Sequence, residues 1–227
     1  MTDITENLQA VRKSIRDAAA SCDRDPGSVT LVAVSKRHST EAIRTAYAAG
    51  QRDFGENYAQ EQRDKAVELA DLDGIRWHFI GHLQRNKAKH VTPSCALVET
   101  VDSVRLVDEL SRQAVRLDRV VSCLVQVNVG EEEQKFGCDR EEVEEILVAV
   151  EEADGLALEG LMTIPPWDLE PQETRVHFSA LAQLRERHGG RARLPHLSMG
   201  MSHDFQVAIE EGATMVRVGT AIFGPRA

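Results

Sequence analysis

The sequence predicts an α/β protein, a single (β/α)8 barrel of the TIM type with an additional N-terminal helix. Three observations carry that prediction. Short apolar runs alternate with amphipathic stretches from end to end, the runs number eight, and 227 residues are enough for such a barrel to bury its own core. Strands separated by helices pair in parallel through right-handed crossovers. Eight such units close a barrel, and an open doubly wound sheet is the structural alternative. The reading is one domain over residues 1–227, with residues 1–25 packing on the barrel as a helix.

The elements follow in order. Ile4, Leu8, Val11, Ile15 and Ala18 recur at helical spacing between Asp3 and Cys22, ahead of the Pro26-Gly27 turn. Thr30 to Ser35 is an apolar run of the kind buried on both faces of a parallel sheet. Ser39-Thr40 with Glu41 opens a helix that runs to Gly50. The alternation then gives a strand at Arg52–Phe54 and a helix at Asn57–Leu72. It continues with a strand at Arg76–Ile80, a short helix at Gln84–His90, a strand at Ala96–Val101 and a helix at Val104–Leu117. The second half reads strand Val120–Val129, helix Arg140–Ala153, strand Leu156–Ile164, helix Glu173–Arg187, strand His196–Leu197, helix Asp204–Glu211 and strand Thr214–Val218.

Composition excludes several classes of function. Lys and Arg total 27 against 37 Asp and Glu, a net charge of −10, so the chain has no surplus of cations with which to coat nucleic acid or an anionic membrane. A small anion needs only a local nest of donors and stays allowed. Cys22, Cys95, Cys123 and Cys138 form no C-x-x-C pair and no zinc-ligand pattern, so reduced thiols and no metal are expected. The N-terminus has no basic and apolar leader, and no run reaches the ~20 apolar residues that span a bilayer. A cytoplasmic protein is expected, and the absence of an apolar surface stripe favours a monomer.

In a barrel the loops after the strands form the active face. Lys36 stands there, directly after the first apolar strand. An amine near ~10.4 is almost wholly protonated at pH 7, so a site that uses it as a nucleophile must favour the neutral form. The alternative is a lysine that snorkels from the barrel mouth to water. The Leu197–Ser202 loop after strand seven and the Arg217–Gly224 loop after strand eight are rich in Gly, Ser and Thr. Barrels often hold phosphate in that quadrant, and Gly backbone with hydroxyl donors suits it. Asn57 ends strand two and is read first as the N-cap of the next helix, with a ligand contact as a second role. His78 and His82 straddle a strand end and share no helix face, which argues against a two-histidine metal site. His78 reads as a hydrogen-bonded barrel residue, Trp77 as packing, and His82, Arg85 and Lys87 as a rim that attracts an anion or is simply solvated.

Taken together these segments resemble the pyridoxal phosphate homeostasis protein family. The matching stretches are Ala33–Lys36, Gly50–Tyr58, Trp77–Gly81 with Leu83-Gln84, Asn86-Lys87, Gly160–Pro165, Leu197–Ser202 and Met215–Gly224. The resemblance implies a barrel like the N-terminal domain of alanine racemase, with pyridoxal 5′-phosphate held as a Schiff base on Lys36. It implies phosphate contacts from Ser198 and Gly200 in one loop and from Gly219 and Thr220 in the other. It places Arg217 near the pyridine nitrogen, a barrel-mouth ion pair being the bland alternative, and the second reading of Asn57 as a ligand contact puts that residue among the expected cofactor-binding groups. An arginine cannot accept the pyridinium proton, so the ring would be a poor electron sink. The chain departs from the family in having His82 for Pro and His203 for Asp, at positions not expected to touch the cofactor. The Gln134–Gly137 stretch varies in the family and is given no site role.

The function so implied is a carrier that keeps the cofactor low, available and uncatalytic, with pyridoxal-phosphate-dependent apoenzymes as candidate recipients. The rival is an amino-acid racemase, which needs a proton acceptor on each face of a carbanion. Lys36 could serve one face, and Tyr58 is the tyrosine that could serve the other. A phosphate-sugar barrel without an imine is the third reading.

Overall fold

The computed structural model describes residues 3–130, 136–166 and 168–225. Eight strands close a barrel in sequence order, each paired in parallel with its neighbours: β1 (Thr30–Val34), β2 (Asp53–Glu56), β3 (Arg76–Phe79), β4 (Cys95–Val101), β5 (Val121–Gln126), β6 (Leu156–Met162), β7 (His196–Ser198) and β8 (Met215–Val218). The seam is closed by β8 beside β1, with Leu31 opposite Val216 and Ala33 opposite Val218.

Ten α-helical segments of the described residues lie outside the sheet: α1 (Ile4–Ser21), α2 (Thr40–Ala48), α3 (Ala59–Glu68), α4 (Ala88–Val91), α5 (Val104–Arg116), α6 (Val143–Glu152), α7 (Arg175–Arg187), α8 (Gly190–Arg193), α9 (Phe205–Glu210) and α10 (Thr220–Phe223). Asp3 caps α1 by accepting from the Thr5 and Glu6 N–H groups, and α1 packs across α2, α9 and α10. No helix among the described residues is long and apolar enough to cross a membrane.

The α/β barrel and its N-terminal helix are as the alternation predicts. Boundaries moved where charge misled. β2 runs on to Glu56, which is wholly buried, because Lys65 of α3 reaches in to pair with it. The Gln84–His90 helix is split into a 3-10 turn at Arg85–Lys87 and α4. The short α8 and α10 had no counterpart in the periodicity, since four residues cannot display one.

The main core lies between sheet and helices. Inside the barrel the filling is divided. One part is apolar, built from Leu97, Leu124, Met162 and Met215. The other is a line of charged and polar groups, described below. The four cysteines are free, and burial pushes the Cys95 and Cys138 thiols up to about 12, so both are neutral packing groups at pH 7. Of the Gln134–Gly137 stretch, Gln134 and Lys135 lie outside the described residues.

Candidate functional site

A cavity of about 220 Å³ opens at the C-terminal ends of the strands. Lys36 enters it from the turn after β1, Asn57 from the end of β2, and Gly219 and Thr220 from the end of β8. Arg217 reaches it from inside β8, and Met201, Ser202 and His203 from the loop after β7. Val34, Ile80 and Ile164 supply its apolar wall. An amine, a guanidinium, an amide and a hydroxyl- and glycine-rich edge therefore converge on one apolar-walled pocket, the usual make-up of a small-molecule site.

The turn bearing Lys36 is clamped on both flanks. Lys65 Nζ donates to the Ser35 carbonyl at 2.8 Å, to Glu56 Oε1 at 2.7 Å and to Glu61 Oε1 at 2.7 Å. Glu61 Oε1 also accepts from the Arg37 N–H at 2.6 Å, and Ser35 Oγ donates to Glu56 Oε1 at 2.7 Å. Residues 35 and 37 are thus tied to one buried ionic cluster while residue 36 projects from between them. Burial pushes the Glu56 carboxyl up, against the pull of Lys65 and Ser35.

Asn57 is not a helix cap. The N-cap position of α3 is Tyr58, and no side chain caps that helix. The helix starts two residues later than the sequence suggested because β2 extends further. Asn57 Oδ1 is instead buried with no hydrogen-bond partner in the protein. A buried amide oxygen left unpaired costs about 1–3 kcal/mol, so its place in the cavity wall points to a ligand donor. Gly81 makes that placement possible, since a Cβ there would lie 2.2 Å from the Asn57 carbonyl oxygen.

Behind the cavity, charged groups form a chain through the barrel interior. Arg217 Nη1 donates to Ser198 Oγ at 2.6 Å and Nη2 to the Thr163 carbonyl at 2.8 Å. Ser198 Oγ donates in turn to Glu99 Oε2 at 2.5 Å, which lies 3.8 Å from Arg217 Nη1. Glu99 Oε1 meets His78 Nδ1 at 2.7 Å, and His78 Nε2 meets Asp53 Oδ1 at 3.1 Å. Asp53 ends the chain in a two-pronged pair with Arg76, at 2.6 and 2.5 Å. Burial alone would drive His78 neutral, but hydrogen bonds to Asp53 and Glu99 overcome it and push its pKa up to about 9. With both ring nitrogens protonated, each is a donor to a carboxylate. Burial would raise Glu99, yet His78, Arg217 and Ser198 hold it below the usual carboxylate range. Charges therefore alternate in sign from Arg76 to Arg217, and the buried Arg217 guanidinium keeps a counter-charge next to it.

Of the residues singled out in the sequence, Lys36, Asn57, Arg217, Gly219 and Thr220 meet at the cavity. Ser198 and Gly200 do not line it. The Ser198 hydroxyl is buried between Glu99 and Arg217. Gly200 adopts φ +95°, and a Cβ there would lie 2.6 Å from Ala208 Cβ, so close packing on α9 demands glycine. The neighbouring Ser202 does reach the rim, where its Oγ accepts from the Gly219 N–H at 3.3 Å and draws the two loops together. His203, set aside in the sequence, lines the cavity with its Nε2 at 3.5 Å from Asp204 Oδ2. His82 lies outside the cavity, stacked on Phe136 at 4.0 Å. Neither tyrosine lines the cavity: Tyr58 accepts from Arg37 Nη2 at 2.9 Å, and Tyr47 donates to the Asp73 carbonyl at 2.8 Å. Glu99 and Asp53 carry no role in the sequence reading. Their signal is a carboxylate in the middle of a predicted strand, Arg52–Phe54 for Asp53 and Ala96–Val101 for Glu99.

Known proteins share this architecture. The family model described as alanine racemase, N-terminal domain, matches residues 7–227. The pyridoxal phosphate homeostasis protein of Pseudomonas aeruginosa is 44% identical over 228 residues, covering 100% of this chain and 97% of that protein. The structure of PipY from Synechococcus elongatus PCC7942 with PLP bound is 38% identical with a TM-score of 0.81, covering 97% of this chain and 100% of that one. Alanine racemase from Corynebacterium glutamicum shares the fold at 19% identity and a TM-score of 0.71, with 98% of this chain and 61% of that chain covered.

Proposed function

Because this chain belongs to the pyridoxal phosphate homeostasis protein family, built on the alanine racemase N-terminal domain, we propose that it holds pyridoxal 5′-phosphate on Lys36 and serves as a reservoir for that cofactor. The observation that carries the reading is the meeting of Lys36, Asn57, Arg217, Gly219 and Thr220 in one cavity at the barrel's active face. The donor set fits the cofactor, and the unpaired Asn57 Oδ1 is an acceptor waiting for a ligand donor.

Pyridoxal phosphate supplies an aldehyde that condenses reversibly with a primary amine, beside a ring whose pyridine nitrogen can withdraw electrons and a phosphate that anchors it. Lys36 is the amine, and the clamp on residues 35 and 37 fixes where it is presented. Gly219, Thr220 and Ser202 form the anion edge by backbone and hydroxyl donors. The Ser198 and Gly200 contribution is indirect: Ser198 orients Arg217, and Gly200 lets the loop pack on α9. Arg217 would face the ring nitrogen of the bound cofactor. With Glu99 beside it Arg217 stays cationic, so it would donate a hydrogen bond to that nitrogen and keep its own proton. Val34, Ile80 and Ile164 keep water from the amine.

Storage follows better than turnover. A cationic Arg217 leaves the ring a weak electron sink, and no tyrosine lines the cavity to act as a second proton acceptor. A cytoplasmic monomer that passes the cofactor to apoenzymes is part of the same proposal, its cytoplasmic part supported by four free thiols. The test is borohydride reduction of cofactor-loaded protein followed by peptide mass spectrometry. Label on Lys36, with the visible band lost in Lys36→Ala, is expected. An undiminished band in Lys36→Ala would refute it. Steady interconversion of L- and D-alanine above the free-cofactor rate would refute storage.

A further inference from the structure

A second cavity, of about 400 Å³, lies at the opposite pole of the barrel, where Thr30, Asp53 and Arg76 begin their strands. Its charge is at odds with the rest of the chain. The sequence has ten more acids than bases, yet Arg12, Arg16, Arg52 and Arg76 line this pocket against one carboxylate, Asp53. That carboxylate is already committed: it holds Arg76 by two hydrogen bonds and accepts from His78 as well. Arg12, Arg16 and Arg52 have no carboxylate within 4.0 Å among the described residues.

Two of these guanidiniums are held in place by neutral groups. Arg12 donates to the Ala49 carbonyl at 2.9 Å and to Gln51 Oε1 at 3.0 Å. Arg52 donates to the carbonyls of Tyr47 and Gln51 at 2.9 and 2.8 Å and lies 3.8 Å over the Tyr47 ring. Orientation is therefore fixed without neutralising the charge. The consequence is visible in Arg12, whose pKa is lowered first by burial and then by the charges of Arg16 and Arg52. Arg16 has no hydrogen bond or ion pair of its own among the described residues, which leaves its full fork of donors free. Like charges gathered around a concavity repel one another, and a dianion seated between them removes that cost. Guanidinium forks match the oxygens of phosphate two at a time. No lysine lines the pocket, so an aldehyde could not be captured there.

We propose that this basal pocket is a non-covalent site for a small phosphate-bearing anion, separate from Lys36 and independent of what the cavity at Lys36 holds. The test uses protein loaded with pyridoxal phosphate and fixed by borohydride, so that the upper cavity is filled. Calorimetric titration with inorganic phosphate in low-salt buffer should show one saturable site per chain. Arg16→Glu should weaken it by about tenfold or more, and Arg52→Gln should weaken it in the same direction. Loading at Lys36 should be unchanged in Arg16→Glu, whose exposed side chain has no partner to lose. Pyridoxine 5′-phosphate, which lacks the aldehyde, competes if the ligand is a phosphate ester, whereas pyridoxine does not. Saturation by phosphate without that competition assigns the site to the free ion. Either result upholds the site. No saturable uptake in the parent protein, or uptake unchanged in both arginine variants, overturns it.

Discussion

Glu99→Gln tests the interior chain most directly. Glu99 is wholly buried and holds His78 at 2.7 Å, Ser198 at 2.5 Å and the Arg217 guanidinium at 3.8 Å. Glutamine keeps the volume but not the charge, leaving His78 with Asp53 alone and Arg217 without the carboxylate that stands between the two cations. Breaking a buried pair from one side costs about 3–5 kcal/mol. The histidine sets an independent scale. His78 keeps its proton to about pH 9 in the folded chain, against 6.5 in an unfolded one, and that shift is worth about 3 kcal/mol. Its folded pKa is raised, so the stabilisation is fully present below pH 6.5 and is lost as pH rises through 9. The expected outcome in denaturant unfolding at pH 6.5 is a loss of about 3–5 kcal/mol in Glu99→Gln, or roughly 6–20 °C in Tm for a chain of this size. Between pH 6.5 and 9 the parent should lose stability and the variant should be nearly flat over the part owed to His78. A variant within about 0.5 kcal/mol of the parent at pH 6.5 would show that the chain stores no such energy and would refute the reasoning.

Three further outcomes follow from the same geometry. Asn57→Ala removes a buried amide oxygen with no partner in the protein, so Tm should hold or rise while cofactor affinity, read by fluorescence titration, falls roughly two- to twelvefold. Gly81→Ala puts a Cβ against the Asn57 carbonyl, so both Tm and cofactor loading should fall, and a variant that loads normally would mean the two strand ends have room to part. Lys65→Met strands the buried Glu56 carboxylate and should cost about 3–5 kcal/mol at pH 7, with much of it restored in the Lys65→Met, Glu56→Met double variant, as unfolding of all three proteins will show.

Much of the site could be read along the chain because it depends on one local fact, the residue that follows a buried strand. Lys36 after β1 and Gly219-Thr220 after β8 are of that kind, and the structure brings them together in the cavity. Ser198 ends β7 and Gly200 lies in the loop that follows, but what surrounds each depends on which way the strand end faces. Along the chain Asn57 reads as a cap because the length of β2 depends on whether Glu56 can be buried, and that is settled by Lys65 on another element.

By itself the sequence determined the order of elements, the closure of eight parallel strands and the position of Lys36 directly after β1. Hydrophobic period and strand–helix alternation are properties of neighbours in the chain, and a buried parallel sheet amplifies them. Only the tertiary structure decided the charged line from Arg76 to Arg217. Its members come from β2, β3, β4, β7 and β8, and each side chain meets the next across the barrel interior. The period of two along a strand says which face a residue takes. The stagger and tilt of the closed sheet then decide which inward-facing groups meet.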